Sequence, residues 1–504
     1  MTPWPDDWNA GRRTLSIAPV FSDHMVLQRE SPIPIWGTAG PGEDVRITLG
    51  SMEKRTRSGH DGKWSVTFDP VFSDEPLAIK VESPGGRIEI RDVLMGEVWL
   101  CSGQSNMEFV LAQDKEAGKF VAGATDPLIR HLSVPRVVSH HPLPTFDARW
   151  KVCTPETAGG FSAVGYHCAT GLRKKLGVPV GLVTSAYGGA SGESWLRTDC
   201  LEGDPVLSPI LRAWERFVRD YPEDPEVRKA VAEANAARMV AEGKTPPPWP
   251  MEPLGPDHFN RPGLLFNSMI HPLVPFPFRG VLWYQGEGNS SRAQQYRRLL
   301  PALIADWRRL WNRPDLWFLL VQLPNFDAPW LERDVFAEMR EAQAVVARDT
   351  PGTGMVCTID LGESEEIHPP RKAPVGERLS RLALSRVYGQ TVPCSGPVFR
   401  SMEVRKDGIL IRFDHAEGLH ATGAEPLGFS IAGRDRKFVP ARAVIEGECV
   451  RAGSGEVGEP VAVRYAWSND PRVNMYNKAG FPAHPFRTDE WPGVTDGCFD
   501  PGAC

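Results

Sequence analysis

A chain of 504 residues is too long for one hydrophobic core and divides into about three domains of ordinary size. It is 41% hydrophobic and 24% charged, with a net charge of −6 spread over interspersed acids and bases. That composition excludes the basic stripe that nucleic acid or an anionic membrane requires, and no run approaches the ~18 apolar residues of a membrane span. The expectation is a globular protein with no nucleic-acid or membrane partner, its oligomeric state left open.

The opening Met1-Thr-Pro-Trp-Pro-Asp-Asp-Trp-Asn-Ala-Gly-Arg-Arg13 puts acids and prolines where a signal peptide carries basic residues and then an apolar core. A cytoplasmic address is therefore expected, or a periplasmic or secreted one if a leader precedes this sequence. Residues 14–95 alternate short strand-like runs (Ile33–Trp36, Asp44–Leu49, Lys63–Phe68, Leu77–Val81, Arg87–Ile90) with Gly and Pro turns, the pattern of a small β-sandwich over 1–93.

From residue 94 the pattern changes. Apolar strand candidates Val98–Cys101, Val178–Thr184, Gly280–Trp283, Trp317–Leu323 and Met355–Ile359 alternate with helical segments, which predicts an α/β domain with a covered parallel sheet over 94–394. Tyr296, Leu299, Leu300, Leu303, Ile304, Trp307 and Leu310 recur at helical spacing, as do Val375, Leu379 and Leu382. Residues 205–262 read as an irregular insertion with a helical Asp224–Glu242 piece and a Pro-rich continuation. From 395 to 504 short strands return (Met402–Arg405, Ile409–Phe413, Phe429–Ala432, Val461–Tyr465), predicting a second β-module and a loop-rich tail.

The nine cysteines never form a C-x-x-C pair and the twelve histidines include no H-E-x-x-H, so no metal site and no cofactor is expected. Cys101 and Cys357 lie in apolar runs and read as buried thiols. For Cys498 and Cys504 the alternatives are a bridge or a frayed tail, the tail being preferred.

In an open α/β sheet functional groups gather at the carboxyl ends of the strands. Those ends carry Ser102-Gly-Gln-Ser105-Asn-Met107, then Ser185-Ala-Tyr-Gly188-Gly189-Ala-Ser-Gly-Glu-Ser-Trp195, then Tyr284-Gln285-Gly-Glu287-Gly-Asn289, and last Asp360-Leu-Gly-Glu363-Ser-Glu365-Glu366-Ile-His368-Pro-Pro370. Together they supply what acyl transfer needs: a hydroxyl, an imidazole, a carboxylate to orient it, and oxyanion donors. Ser105 alone reads first as a helix cap, and the 188–189 glycines as a tight turn. Gln285 reads as an oxyanion donor or as a loop stitch, and Glu365 and Glu366 as a solvated acidic loop. Asn289 and Trp195 are placed as substrate-binding residues, although tryptophans near strands, Trp195 and Trp283 alike, are more often core.

Ser102-Gly-Gln-Ser-Asn-Met107, Trp283-Tyr-Gln-Gly-Glu-Gly-Asn289 and Ile367-His-Pro369 resemble the sialate O-acetylesterase family of SGNH hydrolases, as do Val20-Phe-Ser-Asp-His-Met-Val-Leu-Gln28, Asn267-Ser-Met-Ile-His-Pro-Leu273 and Tyr476-Asn-Lys-Ala-Gly-Phe-Pro-Ala-His-Pro-Phe-Arg-Thr-Asp489. The resemblance implies a flavodoxin-like three-layer α/β/α esterase domain flanked by β-sandwich modules, with Ser105 as nucleophile and His368 as base. The implied substrate is an acetylated carbohydrate, O-acetylated sialic acid first and acetylated xylan or pectin-type glycans second; a catalytically inactive sugar-binding protein is a lesser alternative. The oxyanion donors are assigned to the Ser105 and Gly189 N–H groups and the Gln285 amide. Where the family places Asp before the His, this chain has Glu365 and Glu366, so Glu366 ranks first as orienting acid and Glu287 second. Tyr187-Gly-Gly-Ala190 also replaces the family's Trp-Gly-Gly-Thr.

Overall fold

The computed structural model describes residues 14–331 and 333–502. Met1–Arg13, on which the signal-peptide reading rests, lie outside the described residues, as does Cys504 and with it the bridge weighed for Cys498.

In the N-terminal part, Asp44–Leu49 and Lys63–Phe68 bury every second side chain, as one-sided strands must. Ser16–Ile17, Ile33–Thr38 and Lys63–Phe68 form one sheet, while Met52–Arg57, Asp44–Leu49 and Leu77–Ser83 pair in sequence and join the strand Gly86–Gly103. That 18-residue strand crosses the expected 93/94 boundary without a break. Its first half pairs antiparallel with Leu77–Ser83, and its second half is the centre of the parallel sheet. One continuous core accordingly runs from Leu15 to Leu384.

The parallel sheet has the order Ile129–Ser133, Val180–Ala186, Gly86–Gly103, Gly280–Tyr284, Trp317–Val321, Thr353–Val356, with Lys151–Val152 antiparallel at one edge. Helices pack on it in pairs: Ala163–Leu176 against Ala373–Arg386, and Ala293–Leu310 against Val335–Asp349. Trp99, Trp283 and Trp307 are fully buried between these layers. Truncating any one of them would cost ~3–5 kcal/mol.

The insertion holds two helices, Ser208–Arg219 and Pro225–Ala241, the second capped by the Asp224 carboxylate accepting from Glu226 N–H. Beyond residue 395, two four-stranded sheets built around Gly408–Asp414 and Phe429–Ala432 share a second core. Cys357 and Ile359, just past the last parallel strand, belong to that core, so the C-terminal module grips the chain leading to His368. Arg340, fully buried in Val335–Asp349, fastens the same module by donating to the carbonyls of Leu323, Pro324, Ser468 and Asn469. Among the described residues no helix is long and apolar enough to cross a membrane.

Candidate active site

Ala186, Gly103 and Tyr284 pair at one level across three adjacent parallel strands, so the chain leaves all three toward the same rim. Gly103 has φ 137°, and a Cβ there would sit 2.1 Å from the Tyr284 carbonyl oxygen, so only glycine lets the chain turn this close to its neighbour. Ser105 opens the single helical turn Ser105–Glu108 that follows. Gln104 anchors the turn: its Oε1 accepts from Gly286 and Gly288 N–H at 3.3 and 3.2 Å.

Gly188 faces that turn. A Cβ at Gly188 would lie 3.7 Å from Ser105 Cβ, and its N–H donates to Glu108 Oε2 at 2.6 Å. Gly189 follows at φ 75°. Neither Ser105 N–H nor Gly189 N–H donates to another described residue, which leaves both for a ligand oxygen. Beside Gly189, Tyr187 stacks on Phe259 with ring centroids 4.8 Å apart, and Phe259 stacks on His258 at 4.5 Å. Both outer rings are half-buried, so the insertion supplies an aromatic wall to the rim.

His368 reaches the same place from the loop after Thr353–Val356. The loop is pinned by the Asp360–Arg378 ion pair, with both contacts at 2.7 Å, and by Gly362 N–H donating to Asn325 Oδ1 at 2.9 Å. Asn106 joins the two segments: its Nδ2 donates to the carbonyl of Ile367 at 3.0 Å, so the residue after Ser105 is bonded to the residue before His368. Burial pushes the imidazole below its ordinary pKa; the Lys372 charge adds to this, while the Glu366 and Glu108 charges oppose it. An imidazole neutral at physiological pH is what a general base requires.

The three glutamates separate by setting. Glu366 Oε1 accepts from His368 N–H at 2.7 Å and lies 3.5 Å from His368 Nδ1, with the two side chains 52% and 41% exposed. Glu365 is exposed and forms no hydrogen bond among the described residues. Glu287 is half-buried with its carboxylate turned inward, its Oε1 accepting from Asn106 Nδ2 at 2.7 Å and its Oε2 buried without a hydrogen-bond partner, and desolvation raises its pKa. No Glu287 oxygen is hydrogen-bonded to His368 among the described residues.

Three assignments made from sequence change. Gln285 is fully buried and its amide nitrogen donates to Ala190 O at 3.2 Å and Asn289 Oδ1 at 2.7 Å, which leaves it a stitch between loops. Asn289 is buried in the same net, accepting from Gly192 N–H and donating to Glu193 Oε2, so it offers nothing to a sugar. Trp195 is 0% exposed and packs edge-on to Trp283, also buried, so both indoles are core. Glu108, Asn106, Lys372 and Phe259 had no such roles from sequence. Three of them flank Ser105 or His368 within four positions, the one signal that was available; Phe259 had none.

Among the described residues no group of three or more His, Cys, Asp or Glu side chains is placed to hold a metal ion. What is assembled is a serine, an imidazole with a carboxylate at its edge, two unclaimed N–H groups and an aromatic wall, on one sheet edge.

Residues 257–385 match the family model described as a carbohydrate esterase, sialic acid-specific acetylesterase. The sialate O-acetylesterases of Mus musculus and Homo sapiens are 29% and 28% identical, over 93% and 94% of this chain and 93% of each relative. A carbohydrate acetylesterase from Xanthomonas citri superposes with a TM-score of 0.80 at 34% identity, covering 94% of this chain and 100% of that one. The chain is a carboxylic ester hydrolase and belongs to the sialate O-acetylesterase family.

Proposed function

We propose that the protein removes O-acetyl groups from sugar hydroxyls by a serine mechanism, with O-acetylated sialic acid as the substrate. The Asn106–Ile367 hydrogen bond carries the mechanistic reading, because it brings the Ser105 turn and the His368 loop into one unit. Ser105 Oγ attacks the acetyl carbonyl as His368 takes its proton, and the oxyanion is held by the Ser105 and Gly189 N–H groups. As the tetrahedral species collapses, His368 returns the proton to the departing sugar oxygen, leaving acetyl on Ser105. Water, deprotonated by His368, then attacks the acetyl-serine; acetate leaves and the serine regains its proton. Glu366 orients the imidazole.

The choice of sialic acid rests on the family and on Arg136. This guanidinium pairs with Glu108 beside Ser105 yet remains 60% exposed, a cation at the rim suited to a sugar that carries a carboxylate. The Tyr187–Phe259 wall fits a sugar face, the role expected earlier of Trp195. For the architecture, we infer that the two helix pairs cover opposite faces of the parallel sheet as a three-layer domain over 94–394, between β-modules at 1–93 and 395–504. Acetate release from O-acetylated sialic acid, acetylated xylo-oligomers and an aryl acetate tests the substrate. The sialate should show the highest kcat/KM of the two sugars, and a preference for xylan would refute this choice while leaving the serine chemistry standing.

A further inference from the structure

Behind the rim lies a charged group that the reaction above does not use. Lys372, four residues past His368, is 1% exposed and caps the helix Ala373–Arg386. Its Nζ donates to Asn106 Oδ1 at 2.5 Å, and the ammonium lies 4.7 Å from the Phe109 ring centroid and 5.8 Å from that of Tyr284. Its main-chain N–H donates to Asp114 Oδ2 at 3.0 Å. A lysine is seldom buried so completely unless its charge is matched.

The chemistry of Asn106 shows what the lysine does. An amide has two N–H donors and one carbonyl acceptor, and here all are used. The nitrogen faces two groups that only accept, Glu287 Oε1 and the Ile367 carbonyl, and the oxygen faces an ammonium that only donates. We propose that Lys372 is a positioning residue for the esterase reaction, its ammonium fixing the Asn106 amide that ties the Ser105 turn to the His368 loop. The inference rests on the Ser105–His368 reading.

A second consequence follows from charge. The groups that act on Lys372 are Glu287, Asp114 and Glu366, and those that act on His368 are Glu366, Glu108 and Lys372, with Arg136 already paired to Glu108. Burial pushes Lys372 down to about 7, against the pull of those carboxylates, so it is protonated over the acid range in which His368 titrates. There its positive charge opposes imidazolium. Removing it raises the His368 pKa, and the acid limb of kcat/KM moves to higher pH.

The test compares wild type with Lys372→Met and with the double variant Glu287→Gln/Lys372→Met, which removes both inward-facing charges together and so protects the fold if the single change fails. On the aryl acetate, each should lose ~10-fold or more in kcat with KM within ~2-fold, the signature of a group that acts in the transition state. On the wild-type acid limb, activity relative to plateau should fall a further ~3-fold as the limb shifts upward. Wild-type kcat with an unmoved limb in either variant overturns the proposal. Full recovery in the double variant also overturns it, because Lys372 would then serve only as the counter-charge of Glu287. Failure of the underlying reading looks different: Ser105→Ala stays active, or wild type has no acid limb.

Discussion

Glu366→Gln tests the orienting acid with a magnitude that geometry sets. The carboxylate lies 3.5 Å from His368 Nδ1, and the side chains are 52% and 41% exposed. A unit pair at that distance is worth about 1.2 kcal/mol at the dielectric of water, the limit that applies to so solvated a contact. At ~1.4 kcal/mol per decade, loss of this stabilisation of the imidazolium lowers kcat about tenfold. A buried orienting carboxylate would be worth ~10⁴. KM should hardly change. The negative charge raises the His368 pKa, so its removal lowers that pKa further and moves the acid limb to lower pH, opposite to Lys372→Met. Aryl acetate hydrolysis across the acid and neutral range reads both effects. A thousandfold loss, a limb that moves upward, or a larger loss in Glu287→Gln would refute the reasoning. In that last case the role passes to Glu287, whose buried Oε2 has no partner.

Ser105→Ala should keep the thermal midpoint and abolish aryl acetate turnover; residual activity above a few per cent of wild type, on the scale of nucleophile removal, would show another nucleophile. Gly103→Ala would press a methyl group to 2.1 Å from the Tyr284 carbonyl at a φ of 137°, so it should cost at least ~2 kcal/mol in denaturant unfolding. An unchanged midpoint would mean that the two strands can separate. Arg136→Gln should lower kcat/KM for acetylated sialic acid about tenfold and leave the aryl acetate within ~2-fold, since a charged hydrogen bond is worth ~1.5–3 kcal/mol. Equal losses on both substrates would mean that Arg136 acts through Glu108 instead. Exhaustive chelation should leave activity intact; loss that zinc or another divalent ion specifically restores would overturn the serine route.

The strands that sequence shows clearly are those whose burial is achieved by apolar side chains alone, such as Gly280–Tyr284 and Trp317–Val321. Ile129–Ser133 is as deep in the sheet but carries Arg130 and His131, both buried. Arg130 is satisfied by Asp92 and the Pro127 carbonyl, and His131 by Thr184 Oγ1 at 2.9 Å while stacking on Phe161. Asp92, Thr184 and Phe161 lie too far along the chain for a local pattern to reveal. Val335–Asp349 is hidden for the same reason, since Glu338, Arg340 and Gln343 are buried and pair with the tail, the C-terminal module and the Gln285 backbone. Periodicity counts such residues as surface.

The site divides along the same line. Its turns were legible because Gly103 and Gly189 are required by backbone conformation, which a local motif encodes. The fate of Trp195 and Gln285 was not, because the same residue types serve as platform or core, as donor or stitch, according to neighbours from other loops. Least legible was the charge balance on His368. The sequence shows a crowd of carboxylates beside the histidine, which by itself would raise the imidazole pKa and blunt the base. The fold reverses that sign: burial and the Lys372 ammonium outweigh Glu366 and Glu108. Lys372 can do so because it caps a helix that begins five residues after the histidine and carries the charge inward, while Glu366 stays at the solvent edge. Two charges of opposite sign, one buried and one exposed, thus set the imidazole from opposite sides. This is why their removal should move the acid limb in opposite directions.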